Sequence, residues 1–149
     1  MAYLLDTSIL GRLANSADAN HASALQTVTS LHDSGERLHI CPQNLIEFRN
    51  VATRPVANNG LGLDCSVAET IAARFESLFP LLPETPDIFP AWKALVTDHA
   101  VQGKQVHDAR LVATCHVYGI SHVLTFNVSH FARFSTSKPG LVVESPVAI

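Results

Sequence analysis

Three carboxylates, each placed where the chain turns away from an apolar run, are the residues most able to do chemistry. Asp6 follows Tyr3-Leu4-Leu5, Glu47 lies one turn into the helical stretch after Leu38-His39-Ile40-Cys41, and Asp108 opens a helical stretch beyond Gly103. A fourth polar group, Asn127, follows the run His122-Val123-Leu124-Thr125. Hard oxygen donors drawn from separate segments suit Mg²⁺ or Mn²⁺. Such ions acidify a bound water and clamp the attacking and leaving oxygens of a phosphodiester. No covalent nucleophile is then required. Taken singly, each residue also has a plainer role. Asp6 and Asp108 are suitable helix N-caps, Glu47 a solvent-facing helix residue, and Asn127 a turn residue.

The elements that must position these groups alternate between strand and helix. Tyr3–Leu5, Leu38–Cys41, Leu81–Leu82, His122–Thr125 and Leu141–Val143 read as short strands. Apolar residues at helical spacing predict helices over 7–14, 18–34, 43–53, 67–79, 89–101 and 107–118, the last stopped by Gly119. Residues 54–64, with Pro55, Asn58, Asn59, Gly60 and Gly62, read as a loop too short to divide the chain. The order implies an α/β fold on a mainly parallel sheet, organised as one domain over 1–149. Ligands of open parallel sheets bind at the carboxyl ends of the strands. Asp6 and the Thr125–Asn127 segment sit at two such ends.

Composition narrows the classes. The 149 residues are 47% hydrophobic and 15% charged, a globular balance, and no apolar run approaches the length of a membrane span. The opening Met1–Asp6 lacks a basic region and cleavage site, so a strand rather than a signal peptide is expected, and the cytoplasm is the expected compartment. Cys41, Cys65 and Cys115 are odd in number and far apart, which argues against a disulfide framework and for three core residues. No H-E-x-x-H, G-x-x-x-x-G-K or G-x-G-x-x-G stretch is present. A net charge of −3 does not favour phosphate binding, although cations held by an acidic cluster would offset it. Arg12, Arg49, Arg110 and Arg133 neighbour the candidate acids and are candidate phosphate contacts; the plainer reading is a surface ion pair. Trp92 and Tyr118 are expected in the core rather than stacked on a base.

Four stretches together carry a resemblance: Leu4-Leu5-Asp6-Thr7-Ser8-Ile9-Leu10, Pro42-Gln43-Asn44-Leu45-Ile46-Glu47-Phe48, Val106-His107-Asp108-Ala109-Arg110-Leu111-Val112-Ala113 and Leu124-Thr125-Phe126-Asn127-Val128-Ser129-His130-Phe131. In order and spacing they resemble the PIN-domain family, especially its VapC-type toxins. The resemblance implies a three-layer α/β/α sandwich and a Mg²⁺- or Mn²⁺-dependent endoribonuclease. Asp6, Glu47 and Asp108 would be the metal-binding acids, with Asn127 as a fourth catalytic position. Thr7, Ser8 and Thr125 would orient them. Asn127 stands where the family often has a fourth acid, so a weaker second metal site is expected. The resemblance also implies an RNA substrate, a cognate antitoxin and a homodimer. An aspartyl-phosphate hydrolase would need a second Asp where Ser8 stands. The alternative from another class is a PIN-like module that binds RNA or protein without cutting.

Overall fold

The computed structural model describes residues 1–148. Its elements in chain order are β1 (Ala2–Leu5), α1 (Thr7–Ala14), α2 (His21–Asp33), β2 (Arg37–His39), α3 (Pro42–Thr53), α4 (Cys65–Leu78), α5 (Ile88–Asp98), α6 (Gln105–Tyr118), β3 (His122–Leu124), α7 (Val128–Phe131) and β4 (Val142–Glu144). The strands form one parallel sheet in the order β2-β1-β3-β4. β1 is therefore central, and its burial on both faces explains why Ala2–Leu5 is continuously apolar.

Strand alternation divides the core into two layers. Ala2 and Leu4 face the side built from α5 and α6, whereas Tyr3 and Leu5 face α1 to α4. Val123 and Leu124 of β3 repeat this division. The result is a three-layer α/β/α sandwich. Phe48 and Phe75 meet edge-on at 5.2 Å in one layer, while Phe131 and Phe134 are fully buried in the other. Each such side chain contributes about 1.5–3 kcal/mol of burial.

Several expected boundaries move for local reasons. The helix expected from residue 18 begins at His21, because the Asp18 carboxylate instead holds the Asn20 N–H at 2.8 Å in a turn. α4 begins two residues early, where Asp64 caps it by accepting from the Val67 N–H at 3.2 Å. The strand expected at Leu81–Leu82 is a single parallel bridge from Leu81 to Ile40. α5 stops at Asp98, and Ala100 turns the chain at φ 49°. Gly119 ends α6 at φ 65°, as expected. α7 and a 3₁₀ turn over Ala132–Thr136 were not expected; both are short, and α7 is only four residues long.

Of the cysteines, Cys41 and Cys115 are buried, but Cys65 is exposed at the start of α4, contrary to expectation. Trp92 and Tyr118 pack against the α5/α6 core, as expected. The Trp92 indole donates to the Val106 carbonyl at 2.8 Å and the Tyr118 hydroxyl to that of Pro83 at 2.6 Å. Among the described residues, no helix is long and apolar enough to cross a membrane.

Candidate active site

The carboxyl ends of β1 and β3 meet at Asp6 and Thr125. The Asp6 N–H donates to the Leu124 carbonyl at 2.9 Å, so the two strand ends are locked in register. Asp6 is 4% exposed and caps α1, its side chain accepting from the Ser8 N–H at 3.4 Å. The same oxygen, Oδ2, accepts from Ser8 Oγ at 2.7 Å and from Thr125 Oγ1 at 2.8 Å. Ser8 Oγ also receives the Phe126 N–H at 3.1 Å, and Thr125 Oγ1 receives the Asn127 N–H at 2.9 Å. Capping and site formation are thus one arrangement, and the two plain readings of Asp6 coincide.

Glu47 comes from α3. The start of that helix is fixed by Asn44, whose carboxamide accepts from the Cys41 N–H at 2.9 Å and donates to Thr7 Oγ1 at 3.4 Å. Thr7 Oγ1 in turn donates to Glu47 Oε1 at 3.4 Å. Gln43 supplies a second donor to Oε1 at 3.1 Å, while its other contacts are the His107 carbonyl at 2.7 Å and Arg110 at 3.2 Å. Glu47 lies between exposed Ile46 and fully buried Phe48, so its head follows the edge of the core.

Asp108 sits in the first turn of α6 and does not cap it; Lys104 occupies the N-cap position. Its Oδ2 lies 3.3 Å from Nδ1 of His130 on α7. Desolvation raises the Glu47 carboxyl to about 7, and the nearby charges of Asp6 and Asp108 push it the same way, against the Gln43 and Thr7 hydrogen bonds. Desolvation, followed by the charge of Asp6, raises Asp108 to about 6, with His130 opposing. The three acids therefore feel one another.

Among the described residues, each of these carboxylates receives its hydrogen bonds or His contact on a single oxygen. Asp6 Oδ1, Glu47 Oε2 and Asp108 Oδ1 are left for another partner. Three mutually repelling acids with three such oxygens fit a hard divalent cation. Among the described residues, however, no three His, Cys, Asp or Glu side chains close on one point as a finished cage. An open arrangement suits Mg²⁺, which keeps several waters and takes only one or two carboxylates directly.

Asn127 reaches this rim only through its backbone; its side chain is exposed and makes no capping bond. Three of the four arginines are engaged elsewhere. Arg49 pairs with Glu69, Arg133 bonds Gln105, and Arg110 grips Glu84 at 2.6 and 3.2 Å besides Gln43. Arg12 has a looser partner, Asp18 at 4.0 Å, and lies 5.3 Å over the Phe126 ring. Gln43, Asn44 and His130 were given no role from sequence. The sequence signal that could have found them is their place inside the matched stretches 42–48 and 124–131, one turn from Glu47 and three residues beyond Asn127.

An α/β/α sandwich with acids at the carboxyl rim of its parallel strands is a fold that works at that rim. The model of the PIN domain matches residues 3–136, and the chain belongs to the PIN-domain family. PIN domains are generally nucleases. No curated relative matches the chain. Among solved structures, VapBC2 from Rickettsia felis bound to a fragment of its promoter DNA is similar at TM-score 0.73 and 16% identity, covering 97% of this chain and 98% of that one. DNA-bound VapBC from Salmonella typhimurium gives 0.68 at 17% identity, with 98% of each chain covered. The sarcin-ricin-loop-cleaving toxin VapC20 from Mycobacterium tuberculosis gives 0.64 at 22% identity, covering 87% and 93%. At these identities the likeness is one of fold.

Proposed function

We propose that the protein is a Mg²⁺- or Mn²⁺-dependent endoribonuclease, the toxin of a toxin–antitoxin pair. The observation that carries this reading is the set of three carboxylates, Asp6, Glu47 and Asp108, each with one oxygen unengaged at the strand rim, where burial and the charge of Asp6 raise both Glu47 and Asp108. A divalent ion bound there supplies counter-charge and an acidified water. Asp6 and Asp108 hold the ion, with Glu47 completing the acidic set. Ser8 and Thr125 fix the Asp6 carboxylate, and Thr7 and Gln43 fix that of Glu47, so that the unengaged oxygens stay oriented toward the shared space. Asn127 brings no charge, and a weaker second metal position follows. Arg12 is the arginine best placed to meet an RNA phosphate, since its present partner is distant.

Membership of the PIN-domain family, together with likeness in fold to chains crystallised as VapBC complexes, supports a small antitoxin as partner; a homodimer is the assembly proposed with it. The cytoplasm is the compartment where such an RNA target and partner meet.

The direct test is incubation of folded, antitoxin-free protein with total RNA in Mg²⁺ or Mn²⁺, beside EDTA controls and the Asp6→Asn variant. Discrete cleavage lost in both controls is expected. RNA binding without any cleavage in either metal would replace the proposal with a non-cutting PIN-like module.

A further inference from the structure

A cleft of about 430 Å³ runs between α1, α3 and the loop that follows α3. Toward the acidic rim, the same two helices meet where Thr7 and Glu47 touch at 3.4 Å. Gly11 and Val51 line the cleft and lie four residues further along the same two helices. That is one turn, about 6 Å along each helix, beyond the Thr7–Glu47 contact. On the adjacent strip of α1, Ser8 and Arg12 are likewise one turn apart. Ser8 receives the Phe126 N–H and Arg12 covers the Phe126 ring.

Two features of this cleft serve no packing purpose. Gly11 is inside α1, where glycine weakens a helix relative to alanine. A Cβ added at Gly11 would meet nothing within 4 Å, so no neighbour demands the glycine. Val56, at the mouth, is 72% exposed on a 3₁₀ turn. That turn is nevertheless held in place: the Leu61 N–H donates to the Val51 carbonyl and the Gly62 N–H to that of Arg54, both at 2.9 Å. Gly11 leaves one stretch of the lining without a side chain, Val51 and Val56 are apolar, Asn15 and Asn59 offer carboxamides, and the Arg12 guanidinium is approached by the one lining carboxylate, Asp18, only at 4.0 Å, a combination that suits a flat polar ring beside an anion. A buried guanidine nitrogen, Arg12 Nε, lacks a hydrogen-bond partner among the described residues.

We infer that this cleft is a substrate subsite, which seats the ribonucleotide next to the scissile phosphate of a single-stranded RNA. The base lies over Gly11 between Val51 and Val56, and Arg12 meets the adjoining phosphate. Side chains that grip the strand beside the reacting phosphate orient it against the carboxylates. This rests on the nuclease reading above.

The test compares the parent with Gly11→Ala, Gly11→Leu and Arg12→Ala. Each is assayed for Mn²⁺-dependent cleavage of a short single-stranded RNA and of methyl p-nitrophenyl phosphate, a small diester whose single ring is the leaving group and which has no second ring to seat in the cleft. Gly11→Ala is expected to raise Tm, since it favours the helix without a clash. Gly11→Leu fills the floor, and its ratio of RNA to small-diester kcat/KM is expected to fall about tenfold or more, mainly through KM. Arg12→Ala is expected to lower the same ratio. An unchanged ratio in Gly11→Leu, in a parent that cuts RNA, would overturn the subsite while leaving the nuclease intact. Equal loss on both substrates would also overturn it, since the variant would then act by distorting the rim. Unchanged RNA cleavage with lost inhibition by a protein partner would assign the cleft to that partner. If the parent cuts neither substrate, the nuclease reading fails first and the subsite with it.

Discussion

At the scale of single residues, the site is a set of hydroxyls holding carboxylates against their own repulsion. Thr125 is the clearest case, fully buried, donating to Asp6 Oδ2 and accepting from the Asn127 N–H. Thr125→Val removes that donor at little change in volume and leaves a buried carboxylate oxygen with one donor fewer. We expect metal affinity or cleavage to fall about 10–100-fold with the fold retained, and Thr125→Ser to recover most of it. Equal activity in the valine variant would show that Ser8 alone suffices. Glu47 gives a prediction of opposite sign. Its carboxyl is raised from 4.5 to about 7, so the folded state binds more protons than the unfolded state between those values. The metal-free protein therefore loses stability as pH rises from about 4.5 to 7, and Asp108, raised to about 6, adds to the trend. Glu47→Gln removes the repelling charge. In EDTA at pH 8 it should be more stable than the parent by about 1–2 kcal/mol, allowing for solvent screening of a half-buried group. Thermal melts at pH 5 and 8 check this: a variant less stable than the parent at pH 8 would mean that its hydrogen bonds outweigh the repulsion.

At the scale of elements, the order of strands and helices was legible in the sequence because burial and capping are local, while several ends moved by one to three residues, as the start of α2 did to His21 and the end of β2 to His39. Asp6 after an apolar run, Pro42 at the head of α3 and Gly119 at the end of α6 each announce their element. The carboxylates were legible for the same reason, since all three stand at or near such junctions. What stayed hidden depends on distant partners. Nothing local shows that Gln43 reaches the His107 carbonyl, or that His130 faces Asp108 across α6 and α7. Arginines beside acids in sequence were paired with others in space, as Arg49 is with Glu69 and Arg110 with Glu84. The stretch 54–64 read as a loose loop because its glycines and asparagines are turn formers, yet its backbone is tightly bonded. Gly60 is the critical residue: a Cβ there would lie 1.9 Å from the Arg54 carbonyl oxygen. Gly60→Ala must displace backbone rather than a flexible side chain. A loss of about 2 kcal/mol or more in denaturant unfolding is expected, whereas Gly11→Ala on the facing helix should stabilise. A Gly60→Ala protein as stable as the parent would show that the loop has room to shift.

At the scale of the whole molecule, the question is how a chain of net charge −3 holds a polyanion. Two of the four arginines near the site are neutralised by Glu69 and Glu84, a third, Arg133, is held by the neutral Gln105, and the rim itself is acidic. Few fixed cations beside the rim are therefore free to displace counterions from RNA. Affinity should instead come from divalent ions on the carboxylates and from contacts in the cleft. Single-stranded RNA binding without divalent cation should accordingly be weak, and its logarithm should fall with log salt at a shallow slope, near −1 to −2 for one or two phosphate contacts at about 0.7 each. Adding Mg²⁺ or Mn²⁺ under conditions too brief for cleavage should strengthen binding in the parent and much less in an Asp6→Asn, Asp108→Asn double variant. Fluorescence anisotropy of a labelled oligonucleotide, titrated across salt with and without the ion, reads both quantities. A slope steeper than about −4 in EDTA would mean that a basic surface elsewhere on the protein carries the RNA, and that the rim contributes chemistry without affinity.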